Sequence, residues 1–300
     1  MDRSLYKISN VNQMDPFLMT ITSGSDHWMY LSSTGCLTAG RIKAEYALFP
    51  YVTDDLLHRN AHFTGPVTIL RIQQDSKSHI WEPFSKHKQP FNREHNLYKN
   101  SLGDTVVFEE KNHTLGLTYS YKWQASAEYG FIRKSSLINF GEKSIQVELL
   151  DGLKNIMPAG VELRTQQEMS NLANAYKVSE YMPDANCALF FMNALLMDRP
   201  EPGESLYTNL VWSCYNGEKI ISLSEEDIAR FTDNGAFSGA HLVKGKPGSF
   251  LTKIEKKLEP GSEIHWYTVA DVHQSQSEVT HLISDLNDAS KIELKLEESI

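Results

Sequence analysis

The sequence predicts a mainly β protein: a large antiparallel two-sheet β-sandwich with a few short helices and a helical C-terminal segment. Three observations predict it. Short runs rich in β-branched and aromatic residues recur along most of the chain, bounded by turn-forming Gly, Pro, Ser, Thr and Asp. Several runs alternate strictly: Leu115, Leu117, Tyr119, Tyr121 and Trp123 fall on one face, Gly116, Thr118, Ser120 and Lys122 on the other. That is the period of a half-buried strand. Helical periodicity, finally, is confined to a few segments.

Taken in order, the candidate strands cover residues 17–22, 28–31, 46–51, 67–72, 104–110, 115–123, 129–140 and 144–151. They resume at 188–194, 206–215, 241–243, 250–258 and 263–272. Strands in this number within one acidic chain suggest two sheets packed face to face. Asn139-Phe140-Gly141-Glu142-Lys143 reads as a hairpin turn, as does Lys246-Pro247 between Gly245 and Gly248. A helix is expected over residues 161–177, with Leu163, Met169, Leu172, Ala173 and Tyr176 on one face. Ser224 and Asp227 suit the start of a short helix ending near Phe231. From Ser275 onward the chain turns helical, with Val279, Leu282, Ile283, Leu286 and Ala289 on one stripe and no Gly or Pro to end it. The expected organisation is a sandwich over residues 1–272 and a helical segment over 273–300. No internal repeat is found.

Composition narrows the function classes. A hydrophobic content of 41% is ordinary for a globular chain, and 300 residues can form one large all-β domain. The net charge of −9, with no basic run, argues against a nucleic-acid partner. No stretch has the apolar length of a membrane span, so no membrane partner is expected. The first residues lack the apolar core of a signal peptide, and Cys36, Cys187 and Cys214 are odd in number and widely spaced. Both features suit a cytoplasmic location with reduced thiols. Asn112-His113-Thr114 would be a glycosylation acceptor only in a secreted chain.

The richest stretch lies between Trp28 and Phe84. There Arg41, Glu45, Asp54, Asp55, Arg71, Trp81 and Glu82 stand among aromatic residues. Aromatic rings cover the apolar face of a sugar, and charged groups fix its hydroxyls. The order of pieces, Ser33-Thr34-Gly35, Arg41, Thr53-Asp54-Asp55 and Trp81-Glu82-Pro83, resembles the N-terminal domain of the cellobiose and chitobiose phosphorylases. Arg93-Glu94-His95-Asn96, Phe131-Ile132-Arg133, Leu137-Ile138-Asn139 and the run at 144–150 extend the resemblance over roughly the first half of the chain. Where that family usually shows two glycines, this chain has Gly35-Cys36. The resemblance implies a galactose-mutarotase-like supersandwich that supports a catalytic (α/α)-barrel, shapes a sugar cleft or contributes to a homodimer. It further implies that 273–300 is a helical linker towards a barrel outside this sequence. Arg41, Glu45, Asp54, Asp55, Trp81 and Glu82 are then the candidates for substrate or interface contact, with an oligosaccharide or sugar as partner.

Two other readings are open: a stand-alone enzyme of the aldose 1-epimerase type, or a carbohydrate-binding module. The first needs a carboxylate base and histidine acids converging on a sugar. Glu263 and His265 would share a strand face, with His95 or Glu82 as partner. Adjacent carboxylates such as Glu109 and Glu110 point to opposite faces of a strand and read as surface charge. Asp151 reads as the holder of a turn at a strand end. His58 and His62 are four apart, but no third ligand is evident and no metal is expected. Trp28, Trp123 and Trp212 read as core. Trp81, before Glu82-Pro83 at a turn, is expected to keep its ring partly exposed. Phosphate-binding, dinucleotide, nucleophile-elbow and zinc-protease motifs are absent, and no cofactor is expected.

Overall fold

The computed structural model describes residues 4–52, 55–74, 77–194, 205–286 and 289–300, the side chains of Asp55, Ala289 and Ser290 excepted. The chain opens with β1 (Leu5–Ser9), β2 (Leu18–Ile21), β3 (His27–Ser32), β4 (Leu37–Arg41) and β5 (Ala47–Phe49), followed by the one-turn α1 (Asp55–Arg59). Next come β6 (Gly65–Gln74), β7 (Lys77–Trp81), β8 (Arg93–Asn100), β9 (Val106–Asn112), β10 (Leu117–Ser126), β11 (Gly130–Asn139) and β12 (Ile145–Ile156). Two short helices, α2 (Leu163–Glu168) and α3 (Ser170–Tyr176), precede β13 (Lys177–Met182), β14 (Cys187–Met192), β15 (Tyr207–Cys214) and β16 (Ile220–Ser222). The chain closes with α4 (Glu226–Asn234), β17 (Leu242–Lys244), β18 (Gly248–Leu258), β19 (Glu263–Ser275), α5 (Gln276–Leu286) and α6 (Ala289–Glu298).

The strands form three antiparallel sheets. A ten-stranded sheet runs β1-β8-β9-β10-β11-β19-β15-β14-β13-β17. A five-stranded sheet, β16-β18-β12-β6-β7, and a four-stranded sheet, β2-β3-β4-β5, share its core. The expected second sheet is therefore two hydrogen-bonded units around one interior. The alternation read in 115–123 holds: Leu117, Tyr119, Tyr121 and Trp123 are all buried. The turn at 140–143 joins β11 and β12, which belong to different sheets, so it is a crossing and not a hairpin.

The helix expected over 161–177 is broken. Met169 leaves helical geometry (φ −132°, ψ 35°), splitting α2 from α3. The predicted stripe therefore never faces one surface: Ala173 is buried, whereas Met169 and Leu172 are exposed. A helix does start close to Ser224, but the expected cap does not form: Glu225 is the N-cap and no side chain caps the helix, and Ser224 only accepts from the Asp227 N–H through its carbonyl. That helix runs on past Phe231 and ends at Gly235, whose φ of +78° provides the left-handed cap.

The C-terminal stripe is seated on the outer face of the ten-stranded sheet. Val279, Ile292 and Leu296 are buried with Tyr129, Ile132, Trp212, Tyr267 and Val269. Lys134 and the Tyr267 hydroxyl both reach Glu297, at 2.6 and 2.7 Å. No helix among the described residues is long and apolar enough to cross a membrane.

Candidate functional site

Two of the fully buried carboxylates, Asp151 and Glu110, organise the interior. Asp151 lies within β12, not at its end, and so does not hold a turn. Its Oδ1 accepts from Thr68 (2.6 Å), Tyr119 (3.0 Å) and Arg133 Nη2 (2.9 Å), and its Oδ2 from Arg133 Nη1 (2.9 Å) and Trp266 Nε1 (2.6 Å). Burial works against the charge on Arg133, but Asp151 beside it raises the guanidinium above its ordinary range. Arg133 thus keeps its charge in the interior, where the Asp151 carboxyl is hydrogen-bonded to it at both oxygens.

Glu110 is the second. The burial of β9 alternates, so Val106, Phe108, Glu110 and Asn112 all point inward. The expectation that both Glu109 and Glu110 are surface charge is corrected for Glu110, while the opposite-face argument holds. Its Oε1 accepts from Trp81 Nε1 (2.8 Å) and Arg93 (3.4 Å), and its Oε2 from the Phe84 N–H (2.5 Å) and His95 Nε2 (2.9 Å). Burial opposes its charge, yet the bond from His95 and those from Phe84 and Trp81 hold its pKa below the usual carboxylate range. Phe84 carries a φ of +60°, a conformation that non-glycine residues rarely adopt. Its N–H bond to Glu110 pins that strained turn, so Glu110 fixes the path of the chain from Trp81 to Lys86.

Above this support opens a small cleft of about 80 Å³, below the range typical of enclosed small-ligand sites. It is lined by Thr34 and Gly35 from the β3–β4 turn, by His62, by Thr68, by the segment Glu82–Lys86, and by Tyr121 and Lys154. A neighbouring cleft shares Thr34, Phe84, Ser85 and Lys86 with it and adds Arg93, His95 and Phe108. Lys154 is buried and donates to the His62 carbonyl. It sits at a register shift in β12, immediately before Asn155 with φ +57°. Such an irregularity re-aims side chains at the end of this central strand. Burial lowers its pKa from the ordinary lysine value.

The predicted site residues divide between places. Glu82 lines the cleft. Trp81 is the last residue of β7 and fully buried, so its ring supports Glu110 and the expected exposure is corrected. Asp55 begins α1, close in sequence to the cleft residue His62. Asp54 lies outside the described residues. Glu45 is half-buried in the β4–β5 connection.

Arg41 stands apart, bonded to Asp26 (2.9 Å) and held by both oxygens of Asp271 (3.1 and 3.0 Å). Burial raises Asp271 to about 6 against the pull of Arg41. Burial and the Arg41 charge together lower His27 to about 4. The cleft beside Arg41 shares no lining residue with the one at Lys154.

The histidine readings resolve individually. His58 Nδ1 bonds the Ser32 hydroxyl at 2.7 Å, and no group of residues suited to a metal occurs among the described residues. His265 is exposed and pairs with Glu293 of α6 at 2.6 Å. Glu263 is exposed on the same strand, whereas His95 is committed to Glu110, so these groups do not converge. Trp123 and Trp212 are core, and Trp28 is half-buried. Asn112 is fully buried, which removes it as a glycosylation acceptor. Cys36 and Cys187 are buried free thiols, and Cys214 is a half-buried one.

No protein-family profile and no curated protein sequence matches the chain. Solved structures similar to it include a polysaccharide lyase at 10% identity and a TM-score of 0.47, covering 91% of this chain and 34% of that one. The GalM/aldose epimerase homologue from C. elegans matches at 10% identity and a TM-score of 0.47, covering 87% and 100%. A bacterial glucoamylase complexed with acarbose matches at 12% identity and a TM-score of 0.41, covering 95% and 38%. The chain thus spans little more than a third of the lyase and the glucoamylase. Likenesses of this strength assign no activity.

Proposed function

We propose that this chain is the non-catalytic, galactose-mutarotase-like supersandwich of a carbohydrate-active protein of glycoside phosphorylase or hydrolase type, and that the cleft at Glu82–Lys86 is the wall it offers to a sugar. The observation that carries the reading is the state of the buried carboxylates. Glu110 and Asp151 each accept from several donors at once, which leaves neither free to take a proton from substrate. Around them stand aromatic, hydroxyl and charged groups of the kind that bind sugar without chemistry: Phe84, Thr34, Tyr121, Glu82, Lys86 and Lys154.

In this reading residues 1–272 are the sandwich, and 273–300 lead from it towards a catalytic barrel. Glu82 belongs to the sugar-facing side, and Arg41 and Glu45 to a side suited to an interface or homodimer, while Asp54 and Asp55 keep their sequence-based standing as candidates for substrate or interface contact. The location is cytoplasmic. Polarimetry on α-glucose and α-galactose tests the reading against a stand-alone epimerase. The expected result is the uncatalysed rate of mutarotation. An accelerated rate that Glu110→Gln abolishes would replace the proposal with the epimerase.

A further inference from the structure

We infer that the cleft at Lys154 selects a sugar bearing one anionic group over a neutral one. The inference rests on the proposal that this cleft faces sugar, and it adds the class of sugar. The charge of the site points away from that of the chain. The protein carries a net −9, yet among the described residues that line it this wall has Lys86 and Lys154 against the one carboxylate of Glu82. Among the described residues neither lysine has an ion-pair partner. Lys154 is held by the neutral carbonyl of His62, and Glu82 and Glu225 act on it only from longer range. A buried cation without a counter-charge is costly, and a ligand anion lowers that cost on entering.

A second observation gives the anion a polyhydroxylated carrier. Tyr121 is buried, stacks on Phe108 at 4.9 Å and lines the cleft. Its hydroxyl has no hydrogen-bond partner among the described residues, unlike that of Tyr119, which is bonded to Asp151. The hydroxyl lies at the β3–β4 turn, where a Cβ on Gly35 would stand 3.2 Å from it. Gly35, at φ +92°, both makes the turn and keeps that hydroxyl open. Phe84, fixed from below by Glu110, lines the same cleft and offers a ring for the apolar face of a pyranose. Two cations, an open phenol and a ring edge together suit a sugar carboxylate or a sugar phosphate.

Calorimetric titration of the whole chain with D-glucuronate, glucose 6-phosphate, glucose and inorganic phosphate tests this. Each is run on the natural chain and on Lys86→Ala and Tyr121→Phe, two changes that remove no hydrogen bond or ion pair found among the described residues. At least one anionic sugar should bind about tenfold tighter than glucose, as expected for a hydrogen bond to a charged group. Which one does so distinguishes a carboxylate from a phosphate. Lys86→Ala should weaken the anionic sugar more than glucose and so reduce that preference, and Tyr121→Phe should weaken both sugars. Glucose binding as tightly as the anionic sugars overturns the selection and leaves the sugar wall standing. Inorganic phosphate binding as tightly as either anionic sugar overturns the sugar carrier. Binding of no sugar at all overturns both.

Discussion

The interior around Asp151 and the cleft around Lys154 belong to residues three apart on β12 and treat buried charge in opposite ways. Asp151 and Arg133 are both wholly buried, and the carboxylate is surrounded by donors. Lys154 is nearly as buried and meets a single carbonyl. A matched charge rigidifies the place it occupies, and an unmatched one leaves free energy for a ligand to recover. The difference separates the residues that hold this sandwich together from those that can act on something else.

The comparison breaks first if the matched region can be dismantled cheaply. Asp151→Ala strands Arg133 and three further donors in the core, and should destabilise the chain by about 3–5 kcal/mol. Urea unfolding checks this, and an unchanged midpoint would mean that the network is ornamental. Glu110→Gln keeps the shape but loses the charge that binds Arg93 and His95, for an expected loss of roughly 2–3 kcal/mol. It should also loosen the turn at Phe84, visible as faster amide exchange there.

A third region sharpens the contrast. Lys177 is buried and, among the described residues, its ammonium has only the Met157 sulfur, 4.0 Å away, as a partner, and it lines neither cleft. Burial lowers it to about 8 from the ordinary 10.5. Between those values the unfolded chain binds more protons than the folded one, so this residue's contribution to stability rises with pH across that window. Lys177→Met should therefore stabilise the protein at pH 7 by about 2 kcal/mol, with the gain shrinking as pH climbs from 8 to 10. A gain that is constant with pH would point to packing instead. The smallest effect belongs to Lys86→Ala, an exposed change expected to move stability by less than about 0.5 kcal/mol, measured in the same urea series.

The strands were the legible part of the sequence, because alternation like that of Leu117 to Trp123 is written residue by residue. Glu110 was legible too, since it continues the inward row of Val106 and Phe108. Reading it as one of a surface pair ignored that row. Trp81 misled because Pro83 signals a turn, whereas the strand runs through the tryptophan before the turn begins. The helix at 161–177 had the right period but breaks at Met169, a local backbone choice that the apolar pattern does not encode. Lys154 could not be read at all. Its aim depends on a register shift at Asn155 and on segments that are distant in sequence, His62 and Glu82, arriving at the same end of the sandwich.

The most direct measurement is a crystal structure of the chain grown with saturating D-glucuronate or glucose 6-phosphate. The account predicts the sugar between Lys86, Lys154, Tyr121 and Thr34, with its ring against Phe84 and Glu110 unmoved beneath. A sugar seated instead on Glu263 and His265, or on Arg41 and Asp271, would contradict it.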